Sequence, residues 1–444
     1  MRRRLAWGIA SMAYGKSVTA LTQLAMVPVL ATAWGVELFG HWLLLSTIPA
    51  FLVASDFGFG TAAGNRLIGE VANGGTEEVL TTFQSALLTI LGCSMLVGLI
   101  AFGLAAMLPG SVFGSTAAID GEDSRRIVLV LIAYGLVGLQ GSLFASVLRA
   151  HSAFARSTSF EATVQLGEGL AVILVAVAGK SPLTAALALL AVRTIGVLGH
   201  ILLALYHAPW LRIGFKAANP TRAREMLSPA IAAMMLPLSN AAYLQGTALA
   251  VGAAAGAAAV PIYTTLRTLS RVVLQLLMTV NLPILPEFTA QFAKGNRDWV
   301  RRAAGGIGSL NALIGLIGAL GLGLFGDWLL EHWTRGTIAA PPAMIWLTAA
   351  AIAASTTWNP LSNLLLAVNR HQRFTYWYMA ASIVAIGLTY LAVRRFGVTG
   401  AALVNLGLDL LMLVCVIGMV RQIVGQLPFG WRAITTLLPA RWRN

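Results

Sequence analysis

Charge is what this chain has least of. Asp, Glu, Lys and Arg make up 10% of its 444 residues, where a soluble domain carries about 25%. A soluble globular protein is thereby excluded. Cysteine is almost absent: Cys93 and Cys415 stand alone in apolar stretches, which rules out a disulfide framework and a CxxC metal site. The six histidines show no metal-ligand spacing, so no metal and no other cofactor is expected. No GxxxxGK[ST] loop occurs, which excludes direct drive by ATP. Long polar loops are missing as well.

What is abundant is apolar sequence, 58% of residues, with a mean hydropathy of +0.79. A bilayer core needs about 20 apolar residues per helix. Twelve segments meet this: 11–33, 42–64, 82–108, 126–148, 158–179, 183–206, 228–256, 262–286, 304–326, 343–367, 375–393 and 398–420. The runs are continuous rather than alternating, which excludes a membrane β-barrel. The N-terminal MRRRLAWGIASMAYGKS has a basic start but no clear cleavage site, so it reads as the first span and not as a removed signal.

Basic residues outnumber acidic ones 30 to 16. The aromatics lie within apolar spans and not among the basic residues, so nucleic acid is set aside. With both termini in the cytoplasm, twenty Lys and Arg fall in inner segments, six in outer ones and four (Lys16, Arg193, Arg267, Arg271) within spans. That asymmetry is the positive-inside pattern. The basic stretch 207–227, HAPWLRIGFKAANPTRAREML, reads as a cytoplasmic linker on the membrane surface. It divides a six-helix bundle at 1–206 from a second at 228–420, followed by a tail at 421–444. A weak echo between FGHWLLLST…EVANGGTEE and PIYTTLRTL…QFAKGNRDW fits two related halves.

Residues 38–75 contain Phe39-Gly40 and the run Asp56-Phe57-Gly58-Phe59-Gly60. This resembles the second-helix signature of the polysaccharide transporter family, the O-antigen-type flippases. There a Gly-aromatic outer turn leads into a helix ending Asp-x-Gly-x-Gly. The stretch VPIYTTLRTLSRVVLQLL…LPILPEFTAQFAKGN, with Leu285-Pro286, is similar to that family's eighth helix. The wider resemblance is to the superfamily that also holds multidrug and toxic-compound exporters and lipid II flippases. It implies an all-α membrane protein of about twelve spans. It further implies a V-shaped pair of six-helix bundles around a central, alternately opening cavity, and a polyprenyl-pyrophosphate-linked glycan as cargo.

Charges inside spans are costly, roughly 2.5–3.5 kcal/mol each at the centre of a helix. Arg267, Arg271 and Gln275 recur at i, i+4, i+8 and share one face. They read either as a dock for a pyrophosphate head, whose oxygens match the guanidinium fork, or as partners of an acid on another helix. Lys16 and Arg193 join them as candidate substrate-binding groups. Glu161, Gln165 and Glu168 form a second stripe, with Glu168 at the depth of Arg193. The pair either forms a salt bridge or leaves Glu168 as a proton carrier. Asp56 caps a helix end or pairs with Lys16, and Asp409 is an ion site or an arginine's partner. Pro28, Pro237, Pro283 and Pro360 are candidate hinges.

The sequence thus points to a flippase that moves an undecaprenyl-pyrophosphate-linked O-antigen or exopolysaccharide repeat unit across a bacterial inner membrane. Membrane lipids are its surroundings, and a polymerase and chain-length regulator of the same pathway are candidate partners. A multidrug exporter of the same superfamily is the alternative, although its typically cationic cargo calls for a net acidic cavity. A glycan polymerase or ligase needs a sizeable outer loop. The longest here, 109–125, carries Asp120, Glu122 and Asp123 but no histidine, so an enzyme is not expected.

Overall fold

The computed structural model describes residues 2–55, 58–151, 153–281, 285–368, 370 and 372–430. Asp56 and Pro283, named above, lie outside the described residues. Every described regular element is a helix. In chain order these are α1 (Arg2–Leu45), α2 (Thr47–Ser55), α3 (Phe59–Ala72), α4 (Thr76–Met107), α5 (Gly121–Ala150), α6 (Phe154–Val177) and α7 (Pro182–His207). There follow α8 (Pro220–Ala255), α9 (Ala259–Asn281), α10 (Leu285–Ala293), α11 (Arg297–Thr334), α12 (Pro342–Ala367), α13 (Gln372–Phe396) and α14 (Val398–Val424).

Among the described residues the apolar segments are helical, although the second, 42–64, is divided among the end of α1, α2 and α3. Among the described residues eight helices are long and apolar enough to cross a membrane. A ninth span results if Pro220–Met235 and Pro237–Ala255, bent by 42°, are taken together. That bend falls at Pro237, where the ring removes a helix hydrogen bond. The other two helices of spanning length, α9 and α12, are less apolar because they carry Arg267 and Arg271, and Ser355, Thr356, Thr357 and Asn359. Many apolar side chains on the long helices are exposed, among them Leu99, Leu174, Ile195, Leu202 and Leu324. In a bilayer these meet acyl chains. The chain is a multi-pass helical membrane protein.

The first break in the chain differs from the sequence expectation. The apolar pattern puts a loop near 34–41, and the family resemblance implies an outer turn at Phe39-Gly40. Instead, helix continues to Leu45 with a kink at Gly35, where φ is 78 and ψ 160. That backbone region is open essentially to glycine, so a single residue replaces a loop. Pro28 sits inside α1, seven residues before the break, and α12 runs through Pro360.

Two compact units emerge, Met1–Gln245 and Gly246–Asn444, with the border inside α8. In the first, a core including Phe83, Leu67, Leu143, Val147 and Ala230 gathers α3, α4, α5 and the start of α8. The segment between α7 and α8 is pinned to α4. Gln84 donates to the Arg212 carbonyl (2.9 Å) and accepts from the Ala217 amide (2.7 Å), while Ser85 accepts from the Asn219 amide (2.8 Å). The acids of the 109–125 loop are spent on local structure. Asp120 caps α5 through the Asp123 amide (2.7 Å), and Glu122 and Asp123 pair with Arg125 and Arg126.

Gly58 explains the glycine-rich run. Its φ of 64 is left-handed, and a Cβ there would overlap the backbone carbonyl of Ala230 on α8. Arg66 then ties α3 to α8 through Glu225 (2.8 Å). Replacing Gly58 with Ala is expected to cost about 2–4 kcal/mol, from left-handed strain and overpacking against a backbone that cannot yield. An unchanged thermal unfolding midpoint for G58A in detergent would show that this close approach is unimportant.

Candidate functional site

Four helices of the first unit, α1, α5, α6 and α7, line a cavity of about 490 Å³. The space exists because small residues face it: Gly15, Gly138, Gly141, Ala145, Ala162 and Gly196. Between them stand polar groups, namely Lys16, Thr19, Ser142, Arg149, Thr158, Glu161, Gln165, Arg193 and His200.

Arg193, on α7, is the centre of this wall and is 8% exposed. Its Nε lies 2.7 Å from Glu168 Oε1, and its Nη2 donates to Glu168 Oε2 at 2.8 Å. The ion pair is therefore two-pronged and buried on both sides. Tyr134 of α5 closes it: its hydroxyl accepts from Arg193 Nη2 (3.1 Å) and donates to Glu168 Oε2 (3.2 Å). The guanidinium also lies 5.3 Å from the Tyr134 ring centroid. Arg193 Nη1 points the other way and donates to Glu161 Oε1 at 3.0 Å. Unlike Glu168, the Glu161 side chain is 40% exposed. Its second oxygen stands 4.0 Å from His200 Nδ1, on a ring that is buried edge-on against Phe160.

Two more cations line the cavity. Lys16 is exposed on α1. Arg149, at the end of α5, donates to Ser146 Oγ (2.5 Å), and that hydroxyl in turn donates to the Gly60 carbonyl (2.8 Å). Thr19 reaches Gln165 at 3.5 Å. The structure thus gathers Lys16, Glu161, Glu168 and Arg193 from the sequence-derived candidates. It adds Tyr134, Arg149, Ser142 and Thr19, which the sequence reading passed over. One signal was available: Tyr134, Gly138, Gly141, Ser142, Ala145 and Arg149 recur at helical spacing as a small and polar stripe.

Arg267, Arg271 and Gln275 belong to the second unit and do not line this cavity. They sit half-buried on α9, one of whose faces is polar and the other apolar. Arg267 donates to Thr247 Oγ1 of α8 (3.3 Å) and lies over the Tyr263 ring at 5.1 Å. The Tyr263 hydroxyl donates to the same Thr247 oxygen at 3.2 Å. Among the described residues no carboxylate comes within ion-pairing distance of Arg271. Its electrostatic neighbours are Arg267, one turn away, and Tyr378 of α13. Asp409 on α14 accepts from Trp358 Nε1 at 3.0 Å. Trp358, Phe374 and Tyr378 pack as an aromatic group beside it, with centroids 6.0–6.2 Å apart. Among the described residues no group of three His, Cys, Asp or Glu side chains is placed to hold a metal ion.

Comparison with solved structures assigns the fold. The chain is similar to a multidrug-resistance transporter of the MATE family, MOP superfamily, solved facing inward. The TM-score is 0.78 at 14% identity over 91% of this chain and 94% of that one. It is similar to the lipid II flippase MurJ in an inward closed conformation, with a TM-score of 0.73 at 12% identity over 95% and 88%. It is similar also to a MOP superfamily transporter from Pyrococcus furiosus described as having a binding pocket of reverse polarity, with a TM-score of 0.65 at 13% identity over 95% of each chain. No family model matches the sequence, and no curated protein does. The fold is that of the MOP superfamily transporters.

Proposed function

We propose that this protein is a flippase for a polyprenyl-pyrophosphate-linked oligosaccharide, an O-antigen or exopolysaccharide repeat unit, in the bacterial inner membrane. Both termini lie in the cytoplasm. The two halves, 1–206 and 228–420, joined by 207–227, expose the glycan head first to one side and then to the other. The observation that carries this reading is the paired guanidinium groups of Arg267 and Arg271, the second with no carboxylate at ion-pairing distance among the described residues. Two like charges one turn apart in a half-buried setting repel each other. An anion with several oxygens relieves that repulsion, and pyrophosphate matches the planar fork. The first-unit cavity adds Lys16 and Arg149. The fold shared with a lipid II flippase supports the same cargo class, and pocket polarity is a feature that varies between transporters of this fold. Glu161, Glu168 and Asp409 are the candidate ion-coupling carboxylates. A polymerase and a chain-length regulator are the candidate partners downstream.

A second reading, export of cationic drugs, has one observation in its favour: the carboxylate of Asp409 beside Trp358, Phe374 and Tyr378, a setting that suits an organic cation. Proteoliposomes separate the two. The expected result is movement of a fluorescent undecaprenyl-pyrophosphate sugar between leaflets, well above protein-free vesicles, with no transport of ethidium. Ethidium transport without lipid movement would overturn the flippase.

A further inference from the structure

We infer that Glu161 is a placeholder for the anionic head of the cargo: in the first-unit cavity its carboxylate occupies the edge of Arg193 that a phosphate group takes when cargo binds. The inference rests on the reading above that the cargo carries phosphate, and it assigns a site and a competing group within it.

Arg193 has two edges with different surroundings. One edge, Nε and Nη2, is closed by Glu168 and Tyr134, both deep in the helix packing. A buried two-pronged pair of this kind does not open for a ligand, because the freed carboxylate would be left dry and uncompensated. The other edge, Nη1, faces the cavity and, among the described residues, is met by Glu161 alone, at 3.0 Å. Glu161 is 40% exposed while Arg193 is 10% exposed at the side chain. Carboxylate and phosphate oxygens present the same acceptors to a guanidinium. A wetted carboxylate makes the weaker kind of ion pair, so a doubly charged phosphate competes with it.

Glu161 has a second neighbour in the cavity wall. Its second oxygen is 4.0 Å from His200 Nδ1. The charged and titratable groups around it are Lys16 on α1, Tyr134 and Arg149 on α5, Glu168 on α6, and Arg193 and His200 on α7. Of the cations, Lys16 and Arg149 line the same cavity and complete a basic surround once the carboxylate turns aside. While Glu161 holds Arg193, it also repels any incoming anion. With Glu161 on Arg193 the cavity is nearly neutral, and only a ligand with enough charge to displace the carboxylate enters it.

The test is equilibrium binding of inorganic pyrophosphate to the purified full chain in nanodiscs, measured by calorimetry for wild type, Glu161→Gln, Glu161→Ser and Lys16→Gln. Removing the competing charge should tighten binding roughly tenfold in both Glu161 variants, since a repulsion and an ion pair are lost together. Lys16→Gln should weaken it. Glu161→Gln keeps the shape of the side chain and leaves Arg193 with Glu168, so it is expected to fold, and the serine variant tests the same charge with less bulk. Unchanged or weaker binding in both Glu161 variants overturns the placeholder, while wild-type binding that is sensitive to Lys16 leaves the phosphate-cargo reading standing. Absence of pyrophosphate binding in every form, with normal thermal unfolding, removes the phosphate-cargo reading and this inference with it.

Discussion

Replacing Arg193 with Met should destabilise the protein by about 3–5 kcal/mol, the usual consequence of leaving one member of a buried pair without its partner. Glu168 is the reason. Its side chain is 9% exposed and is held against Arg193 by contacts of 2.7 and 2.8 Å. With the guanidinium gone, among the described residues only the Tyr134 hydroxyl remains to solvate the carboxylate. Changing Glu168 to Met as well removes the orphaned charge, and the double variant should recover most of the loss, because well-packed apolar residues often equal a buried pair. Reversing both charges should likewise restore what each single reversal loses. The measurement is thermal unfolding of the two single variants and the double variant in one detergent, read as a double-mutant cycle. Additive losses, with no rescue in the double variant, would mean that the pair is not energetically coupled and that Glu168 is free to serve as a proton site.

Replacing Arg267 and Arg271 together with Gln should reduce translocation of a polyprenyl-pyrophosphate sugar by at least a hundredfold and leave the fold intact. Charge-assisted hydrogen bonds are worth about 1.5–3 kcal/mol each, so losing two removes roughly 3–6 kcal/mol, a factor of about 10² to 10⁴ in affinity. Stability should move the other way or stay level. Two guanidinium groups one turn apart repel, and Arg271 is half-buried beside Arg267 and Tyr378. A site that costs the resting protein stability is the usual sign of a group kept for a ligand. Single Arg→Lys changes sharpen the test: lysine keeps the charge but loses the planar fork, so a bidentate dock predicts a large defect and a merely cationic surface a small one. Full transport by the double Gln variant would remove the phosphate dock from α9.

The Arg193 result also bears on the inference about Glu161. Arg193 is anchored on one side and addressed on the other, so its loss should cost stability, whereas loss of Glu161 should not. If Glu161→Gln proved as destabilising as Arg193→Met, the carboxylate would be part of the structural pair and not a placeholder.

Much of the fold was legible in the sequence because the bilayer imposes it. A backbone in hydrocarbon must satisfy its hydrogen bonds internally, so twelve continuous apolar runs had to be helices. The cost of intramembrane charge singled out Lys16, Glu161, Glu168, Arg193, Arg267, Arg271 and Asp409 without any coordinates. Depth along adjacent helices offered Glu168 and Arg193 as possible partners. Tertiary structure decided what periodicity cannot encode. The kink at Gly35 depends on one residue's positive-φ backbone and not on a loop-like composition. The closing of the Arg193 pair by Tyr134, and the meeting of Lys16 with Arg149 around one cavity, arise where α1, α5, α6 and α7 converge, Lys16 and Arg149 from positions more than a hundred residues apart. Hydropathy fixes each helix against lipid, which is a local and additive property. Which polar faces meet is set by packing between helices, where small residues open space and a few long side chains fill it, and only coordinates carry that information.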